Sequence, residues 1–114
     1  MQQQYRLVKK EDFNKVYRYG KSAANMQYVI YYKPNIQVEQ FRMGVSASKK
    51  LGGAVVRNRL RRVIKEIIRH HADEIVPHND LIVIVRKPAV DLDYQTAEKC
   101  LLHALKRASM IKKK

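Results

Sequence analysis

The hydrophobic pattern is clearest between residues 54 and 71, where apolar residues recur with the period of an α-helix. From residue 60 onward, positions i, i+3, i+4, i+7 and i+8 are apolar: Leu60, Val63, Ile64, Ile67 and Ile68. At about 100° per residue, four cations and one amide form a continuous arc beside this stripe: Asn58, Arg61, Arg62, Lys65 and Arg69. We call these five residues the basic arc, and Arg57 lies at its border with the stripe. The segment therefore predicts an amphipathic helix with a core face and a basic face.

Two further helices are predicted near the ends of the chain, over residues 11–19 and 94–110. The first is expected to end before Gly20, a residue typical of helix C-termini, and Asp91 or Asp93 can cap the second. The first helix presents three large side chains on one face: Phe13, Val16 and Tyr17.

Strands are predicted where apolar residues alternate or run together: residues 26–33, 41–48 and 81–85, with a short addition at 21–24. The second of these long strands is expected to run antiparallel to the first and to bury one face, namely Phe41, Met43, Val45 and Ala47. Turns are expected at residues 34–35 and 77–80, and a flexible basic loop at 49–53.

The order α-β-β-α-β-α predicts an α+β fold, an α-β sandwich in which three helices pack on one sheet of about four strands. We expect residues 1–114 to form a single domain, with residues 112–114 as a short basic tail. If the basic helix joins two parallel strands, the general rule for such crossovers predicts a right-handed connection.

The charge balance indicates a polyanionic partner. The chain has 24 Lys and Arg against 10 Asp and Glu, a formal charge of +14. Residues 49–69 hold eight of the cations and a single acid, a net charge of +7. Such clustering is typical of nucleic-acid binding, because like charges on one helix face otherwise only repel. A merely solvated face is the alternative, and the shortage of compensating acids disfavours it.

A membrane surface is the other polyanion to consider. No apolar run approaches the roughly 20 residues that span a bilayer, and the chain has no Trp, so a membrane partner is not expected. Residues 1–6 lack the apolar core of a secretory signal, and the single Cys100 allows no internal disulfide. We therefore expect a cytoplasmic protein.

No catalytic residues and no metal site are expected in this chain. The acids are scattered, and His70 and His71 point about 100° apart on a helix, so they cannot chelate one ion. Gly52 and Gly53 precede a helix, but the Gly-Lys-Ser/Thr of a nucleotide-hydrolysing loop is missing. A stand-alone nuclease and a small-molecule substrate are therefore disfavoured.

The aromatic residues and Asn58 leave alternatives open. On a strand, Val29 and Tyr31 share one face and Ile30 and Tyr32 the other, and one of these faces must be core. The other face could stack an RNA base, as single-strand binders do. Asn58 is about equally suited to a local backbone bond and to a phosphate or 2′-hydroxyl.

Residues 41–62 closely resemble the bacterial ribonuclease P protein component. They contain its Ser-Lys-Lys, glycine, Ala-Val, Arg-Asn-Arg and Arg-Arg elements in order, as FRMGVSASKKLGGAVVRNRLRR. Supporting matches are Phe13, the pair Ala24-Asn25, and residues 84–89. The resemblance implies an α-β sandwich like domain 2 of ribosomal protein S5, with an unusual left-handed β-α-β crossover.

The resemblance also implies a function. The protein would be the ribonuclease P subunit that binds the catalytic RNA and the 5′ leader of precursor tRNA, while catalysis belongs to the RNA and its Mg²⁺. No cofactor would be held by the protein. A ribosomal or ribosome-assembly protein, which has the same charge signature, is the alternative.

Site residues follow from the basic helix and from the resemblance. The RNA-binding residues would be Lys49, Lys50, Arg57, Asn58, Arg59, Arg61, Arg62, Lys65 and Arg69. The resemblance places a leader cleft beside Arg57 and Arg62, lined by Phe13, Tyr17 and Tyr31. Tyr17 stands where many members have Phe, and Gly53 stands where a polar residue is common.

Overall fold

The structure, a computed structural model, describes residues 5–112. Within them lie three helices: α1 (Lys10–Tyr19), α2 (Ala54–His70) and α3 (Tyr94–Arg107). They pack on one four-stranded sheet: β1 (Lys21–Ala24), β2 (Tyr28–Pro34), β3 (Phe41–Ser46) and β4 (Asn79–Val85). The predicted α+β sandwich is confirmed. Residues 1–4 and 113–114, which include most of the N-terminal stretch and of the basic tail considered above, lie outside the described range.

The sheet separates a large core from a small one. Helices α2 and α3 cover one face, where they bury the strand residues Tyr28, Ile30, Leu81, Val83 and Val85. Helix α1 covers part of the other face, over a small cluster of Leu7, Val16 and Ile82. Strand β4 is thus covered on both faces, which explains why it reads as a continuous apolar run in the sequence.

The order of strands is β1-β2-β4-β3, so β4 lies between β2 and β3. β3 runs opposite to β2, as expected, but it does not pair with β2. Its partner is β4, to which it is parallel, while β2 pairs antiparallel with both β1 and β4. Parallel neighbours need a long connection, and α2 supplies it.

The unit β3-α2-β4 is a parallel crossover whose hand follows from the chirality of L-residues. Met43 of β3 points its side chain into the core under α2, and its carbonyl accepts a hydrogen bond from the Leu7 N–H at 3.1 Å, beyond the free edge of β3. Consider a strand that runs upward from N- to C-terminus, seen from the face toward which the side chain of one residue points. In this view the N–H and C=O of that L-residue both point to the right. β4 therefore lies to the left of β3 in this view. The crossover is left-handed, as the resemblance implies, and the general right-handed rule is wrong for this unit.

The ends of several elements differ from the sequence prediction. β4 begins at Asn79 rather than residue 81, because Asn79 and Asp80 find hydrogen-bond partners while buried. α3 ends at Arg107 rather than residue 110, because Ser109 adopts a left-handed φ of 59° and Met110 N–H bonds back to the Leu105 carbonyl.

Other expectations about helix ends hold. Gly20 follows the last residue of α1, and its N–H donates to the Val16 carbonyl at 2.9 Å. Of the two candidate caps for α3, it is Asp93 that accepts a hydrogen bond from the Thr96 N–H, at 2.8 Å. The expected flexible loop after β3 instead contains a 3₁₀ turn, Lys49–Leu51.

Candidate RNA-binding site

The basic arc lies on the flank of α2 that borders β3. The apolar stripe is buried at Leu60, Ile64, Ile67 and Ile68, as predicted. In the arc, Arg61 and Lys65 are half-buried, and Asn58, Arg62 and Arg69 are exposed. Arg61 is held in place, since it donates to the Asn58 side chain at 3.1 Å and to the Ala47 carbonyl at 3.4 Å. The side-chain oxygen of Asn58 therefore orients an arginine of the arc rather than bonding to local backbone.

The remaining cations of α2 are not equivalent. Arg59 lies on the opposite flank of the helix and donates to the Val90 carbonyl at 3.0 Å. Arg69 pairs with Glu66 at 2.6 Å, and this hydrogen bond lowers the pKa of the Glu66 carboxyl. The Nε of Arg57 is buried, and no acceptor within residues 5–112 bonds to it. A buried donor without a partner costs free energy, so this position of the Arg57 side chain is locally unfavourable.

Lys49 and Lys50 extend the basic surface beyond the start of α2. Both are exposed in the 3₁₀ turn Lys49–Leu51. α2 then begins after Gly53, with no side-chain cap and no acid in its first turn. The N–H groups of that turn are consequently open to an anion, which the helix dipole also favours. The turn and the helix start thus offer charge and donors to the same ligand.

Phe13 lies at the edge of β3, where it meets the basic arc. Its ring covers Gly44 so closely that a Cβ atom at that glycine would lie 2.3 Å from Phe13 Cζ. A cavity of about 210 Å³ adjoins this contact, lined by Arg6, Leu7, Val8, Phe13, Met43, Gly44, Val45, Arg61 and Lys65. Among the described residues that line it, three are cations and none is an acid. Arg57 and Arg62, which the resemblance placed beside Phe13, do not line this cavity, and Arg61 and Lys65 take that place.

Tyr17 and Tyr31 form the other part of the expected cleft. Their rings meet edge to face, with centroids 5.1 Å apart and an interplanar angle of 77°. Burial raises the pKa of Tyr17, a hydrogen bond with Ser46 opposes this shift, and the neighbouring Tyr31 adds to it. Tyr17 remains 39% exposed, so part of its ring is accessible to a ligand. Val29 and Tyr31 do share a face, and it is the face that α1 only partly covers.

Sequence reasoning missed the N-terminal contribution to this site. The Leu7 N–H bonds to the Met43 carbonyl, and Arg6 forms a parallel bridge with Met43, so this segment extends the sheet past β3. It thereby carries Arg6 to the cavity beside Phe13. The apolar pair Leu7-Val8 between cations was the one signal of this packing in the sequence.

The described residues also bear on two other classes of site, a metal site and a membrane span. Between residues 5 and 112, His, Cys, Asp and Glu side chains do not gather in any group of three or more that could hold a metal ion. Of the helices described, none combines the length and apolar character needed to cross a membrane.

Comparisons with known proteins agree with one another. The profile of the Ribonuclease P family matches residues 1–109. The ribonuclease P protein component of Staphylococcus carnosus is 46% identical over 114 residues, which cover 100% of this chain and 98% of the relative. That of Listeria welshimeri is 44% identical over 114 residues, covering 100% and 96%. The structure of the Staphylococcus aureus RNase P protein matches with a TM-score of 0.89 at 42% identity, covering 95% of this chain and 98% of that one.

Fold and comparisons together define a protein component of a ribonucleoprotein enzyme. The chain belongs to the ribonuclease P protein family. It is a subunit of the ribonuclease P holoenzyme, which carries out 5′ processing of tRNA, and this membership implies RNA partners. The alternative of a ribosomal or ribosome-assembly protein is not favoured.

Proposed function

We propose that this chain binds the ribonuclease P RNA and the 5′ leader of precursor tRNA, and that the RNA carries the catalysis. The observation that supports this most is the cavity at the β3 edge. There Arg6, Arg61 and Lys65 line one cavity together with Phe13, and none of the described residues that line it is an acid. Cations beside an aromatic ring are the combination that single-stranded nucleic acid requires, with phosphates on the charges and bases against the ring.

The RNA subunit is proposed to contact the start of α2 and the exposed part of the basic arc. Lys49, Lys50 and Arg62 are exposed and Arg57 is half-buried, and their cationic groups suit phosphate oxygens. Asn58, Arg59 and Arg69 would add contacts at the margins of this surface. Because all are suited to phosphate or sugar, they would position the RNA rather than specify its sequence.

The leader is proposed to follow the aromatic residues on the α1 side. Phe13 stands beside Arg61 and Lys65, and Tyr17 lies farther along α1 against Tyr31. Stacking on such rings tolerates every base, because each base has a π-face. We therefore expect little leader sequence preference from these three rings.

Mg²⁺ is proposed to act in the RNA-containing holoenzyme and not on this chain. The acidic and histidine side chains of residues 5–112 do not fit a resident site, since they form no group of three or more. The contribution of the protein is then positive charge and orientation of the leader. No small-molecule substrate and no membrane partner are part of the proposal. We also propose a cytoplasmic location, because bacterial precursor tRNA is made in the cytoplasm.

Reconstitution tests this function. Purified protein and ribonuclease P RNA would be assayed separately and together for precursor tRNA cleavage at low Mg²⁺ concentration. We expect cleavage by the mixture, little by the RNA alone, and none by the protein alone. Protein lacking both Arg61 and Lys65 side chains should rescue the RNA less well. Robust cleavage by RNA-free protein, lost on a point substitution in this chain, would overturn the assignment of catalysis.

A further inference from the structure

Arg42 is a cation whose guanidinium is paired with carboxylates of this chain and is therefore not counted among the RNA-binding residues. It lies on the α1 side of β3, and its guanidinium is bidentate to Asp80 of β4, with Nε–Oδ1 at 2.8 Å and Nη2–Oδ2 at 2.9 Å. Asp80 has a side chain only 6% exposed and also accepts from the Asn35 side chain at 3.0 Å. Charge-assisted fork contacts of this kind hold both groups in one geometry. Arg42 is thus a fixed point on the sheet.

Helix α1 docks on this fixed point. The third guanidinium nitrogen of Arg42, Nη1, lies 3.5 Å from the Asp12 carboxylate in the first turn of α1. Phe13, the next residue of α1, covers Gly44, and Gly44 is two residues after Arg42 on the same face of β3. Two consecutive residues of α1 therefore meet two alternate residues of β3. One ion pair and one ring-on-glycine contact set where α1 lies along the strand.

The position of α1 decides where the leader-binding rings stand. Phe13 borders the cavity with Arg61 and Lys65, and Tyr17 follows four residues later, one helical turn farther on. Tyr17 meets the Tyr31 ring at 5.1 Å. A shift or tilt of the helix would move both rings of α1 relative to the basic arc.

We infer that Asp12 is a positioning residue for leader binding: through Arg42, itself held by Asp80, it keeps α1 where Phe13 and Tyr17 can receive the leader. This inference rests on the proposed function. It assigns Asp12 no contact with RNA. According to this inference, an acidic residue favours the binding of a polyanion. Charge repulsion alone would predict the opposite.

That opposition in sign makes the inference testable. If Asp12 acted only through its charge, its removal from a protein of charge +14 would strengthen RNA binding. A positioning role requires the reverse for substrates that have a leader. Glu11 is the matched control, since it is exposed, lies in the same helical turn and carries the same charge.

The experiment uses reconstituted holoenzymes containing wild-type protein, Asp12→Asn, Asp12→Glu, Glu11→Gln or Tyr31→Ala. Affinities for precursor tRNA with a long leader and for mature tRNA are measured, with thermal melting of each free protein. We expect Asp12→Asn to lower the precursor-to-mature affinity ratio about fivefold, the effect of losing about 1 kcal/mol. Asp12→Glu should restore part of the ratio, and Glu11→Gln should leave it unchanged or raise it. Affinity for mature tRNA should be the same in all.

Several results would overturn the inference. If Asp12→Asn and Glu11→Gln change the precursor-to-mature affinity ratio equally, Asp12 acts only through its charge. A lowered melting temperature with an unchanged ratio would make its role structural only. If Tyr31→Ala lowers the ratio and Asp12→Asn does not, the cleft is correct and the positioning role is wrong. If neither variant lowers it, the proposed cleft fails and the inference fails with it.

Discussion

The ring of Phe13 occupies the space that a side chain at Gly44 would need. A Cβ at Gly44 would lie 2.3 Å from Phe13 Cζ and 2.7 Å from Cε1, far inside van der Waals contact. The glycine is required here by the close approach of α1 to β3. Glycine has a lower β-propensity than an apolar strand residue and locally destabilises β3. The tertiary contact with Phe13 explains why glycine is nevertheless found at this position.

Gly44→Ala should therefore displace Phe13 and destabilise the protein. Overpacking of this kind typically costs about 1–3 kcal/mol, which thermal or urea unfolding would measure. Gly53→Ala is the control, because no atom of residues 5–112 lies within 4 Å of the Cβ position there and only the helix cap changes. Equal losses of stability at the two positions would show that the ring contact is unimportant.

His71 links the end of α2 to α3 through two carboxylates. Its Nδ1 faces Glu74 and its Nε2 lies 3.0 Å from Glu98, so only the doubly protonated imidazolium can donate to both. Partial burial lowers the pKa of His71, but the hydrogen bonds and charges of Glu74 and Glu98 outweigh this. The net result is a pKa above the ordinary value of 6.5.

A raised folded-state pKa stabilises the protein fully below the unfolded pKa, and the gain is lost as pH rises through the folded value. The melting temperature of wild type should therefore exceed that of His71→Gln by more at pH 6 than at pH 8.5. Glu98→Gln should reduce the same pH dependence, since it removes one acceptor. A constant difference between wild type and His71→Gln across this range would contradict the ion-pair interpretation.

Much of the architecture could be predicted from local sequence patterns. The stripe of α2 and the alternation in β2 and β3 depend only on helix and strand periods, and each element exists close to its expected place. Pairing was harder. The antiparallel direction of β3 relative to β2 was predicted correctly. The insertion of β4 between these two strands was not predicted, because β4 lies about 35 residues later in the chain. The left hand of the crossover came from the family resemblance and not from physical rules.

For the candidate site, the sequence indicates which residues share the basic face of α2, but it does not indicate how their side chains are arranged. Helical spacing predicts the basic arc. It does not predict that Arg59 donates a hydrogen bond to the Val90 carbonyl or that Arg42 pairs with Asp80. Those contacts join residues about 30 to 40 positions apart. Arg6 was missed for the same reason, since its role depends on the Leu7 segment pairing with the far edge of β3.

RNA binding should depend strongly on salt, and the basic arc should carry part of that dependence. Each phosphate contact with a single strand steepens the log–log salt slope by about 0.7, because counterions are released. Arg61→Ala with Lys65→Ala should therefore flatten the slope by about 1.4 and leave the fold intact, since neither side chain lies in the apolar stripe.

The matched control for this pair is Lys99→Ala with Lys106→Ala, which removes the same charge from exposed positions of α3. It should change the slope less than the α2 pair does. Slopes would be measured by titrating KCl in a binding assay with ribonuclease P RNA and precursor tRNA. The same slope for wild type and the α2 double variant would mean that the arc is only a solvated face.

Tyr31→Ala should weaken binding of precursor tRNA with a long leader and leave binding of mature tRNA unchanged. Base–aromatic stacking is worth roughly 1–3 kcal/mol, so the precursor-to-mature affinity ratio should fall about fivefold or more. Tyr31 also packs against Tyr17 and the small core under α1, so truncation should lower the melting temperature as well. Tyr31→Phe separates the two effects, because it keeps the ring and should retain the ratio. A sharp drop in melting temperature of Tyr31→Ala with an unchanged ratio would make Tyr31 a packing residue and remove it from the leader cleft.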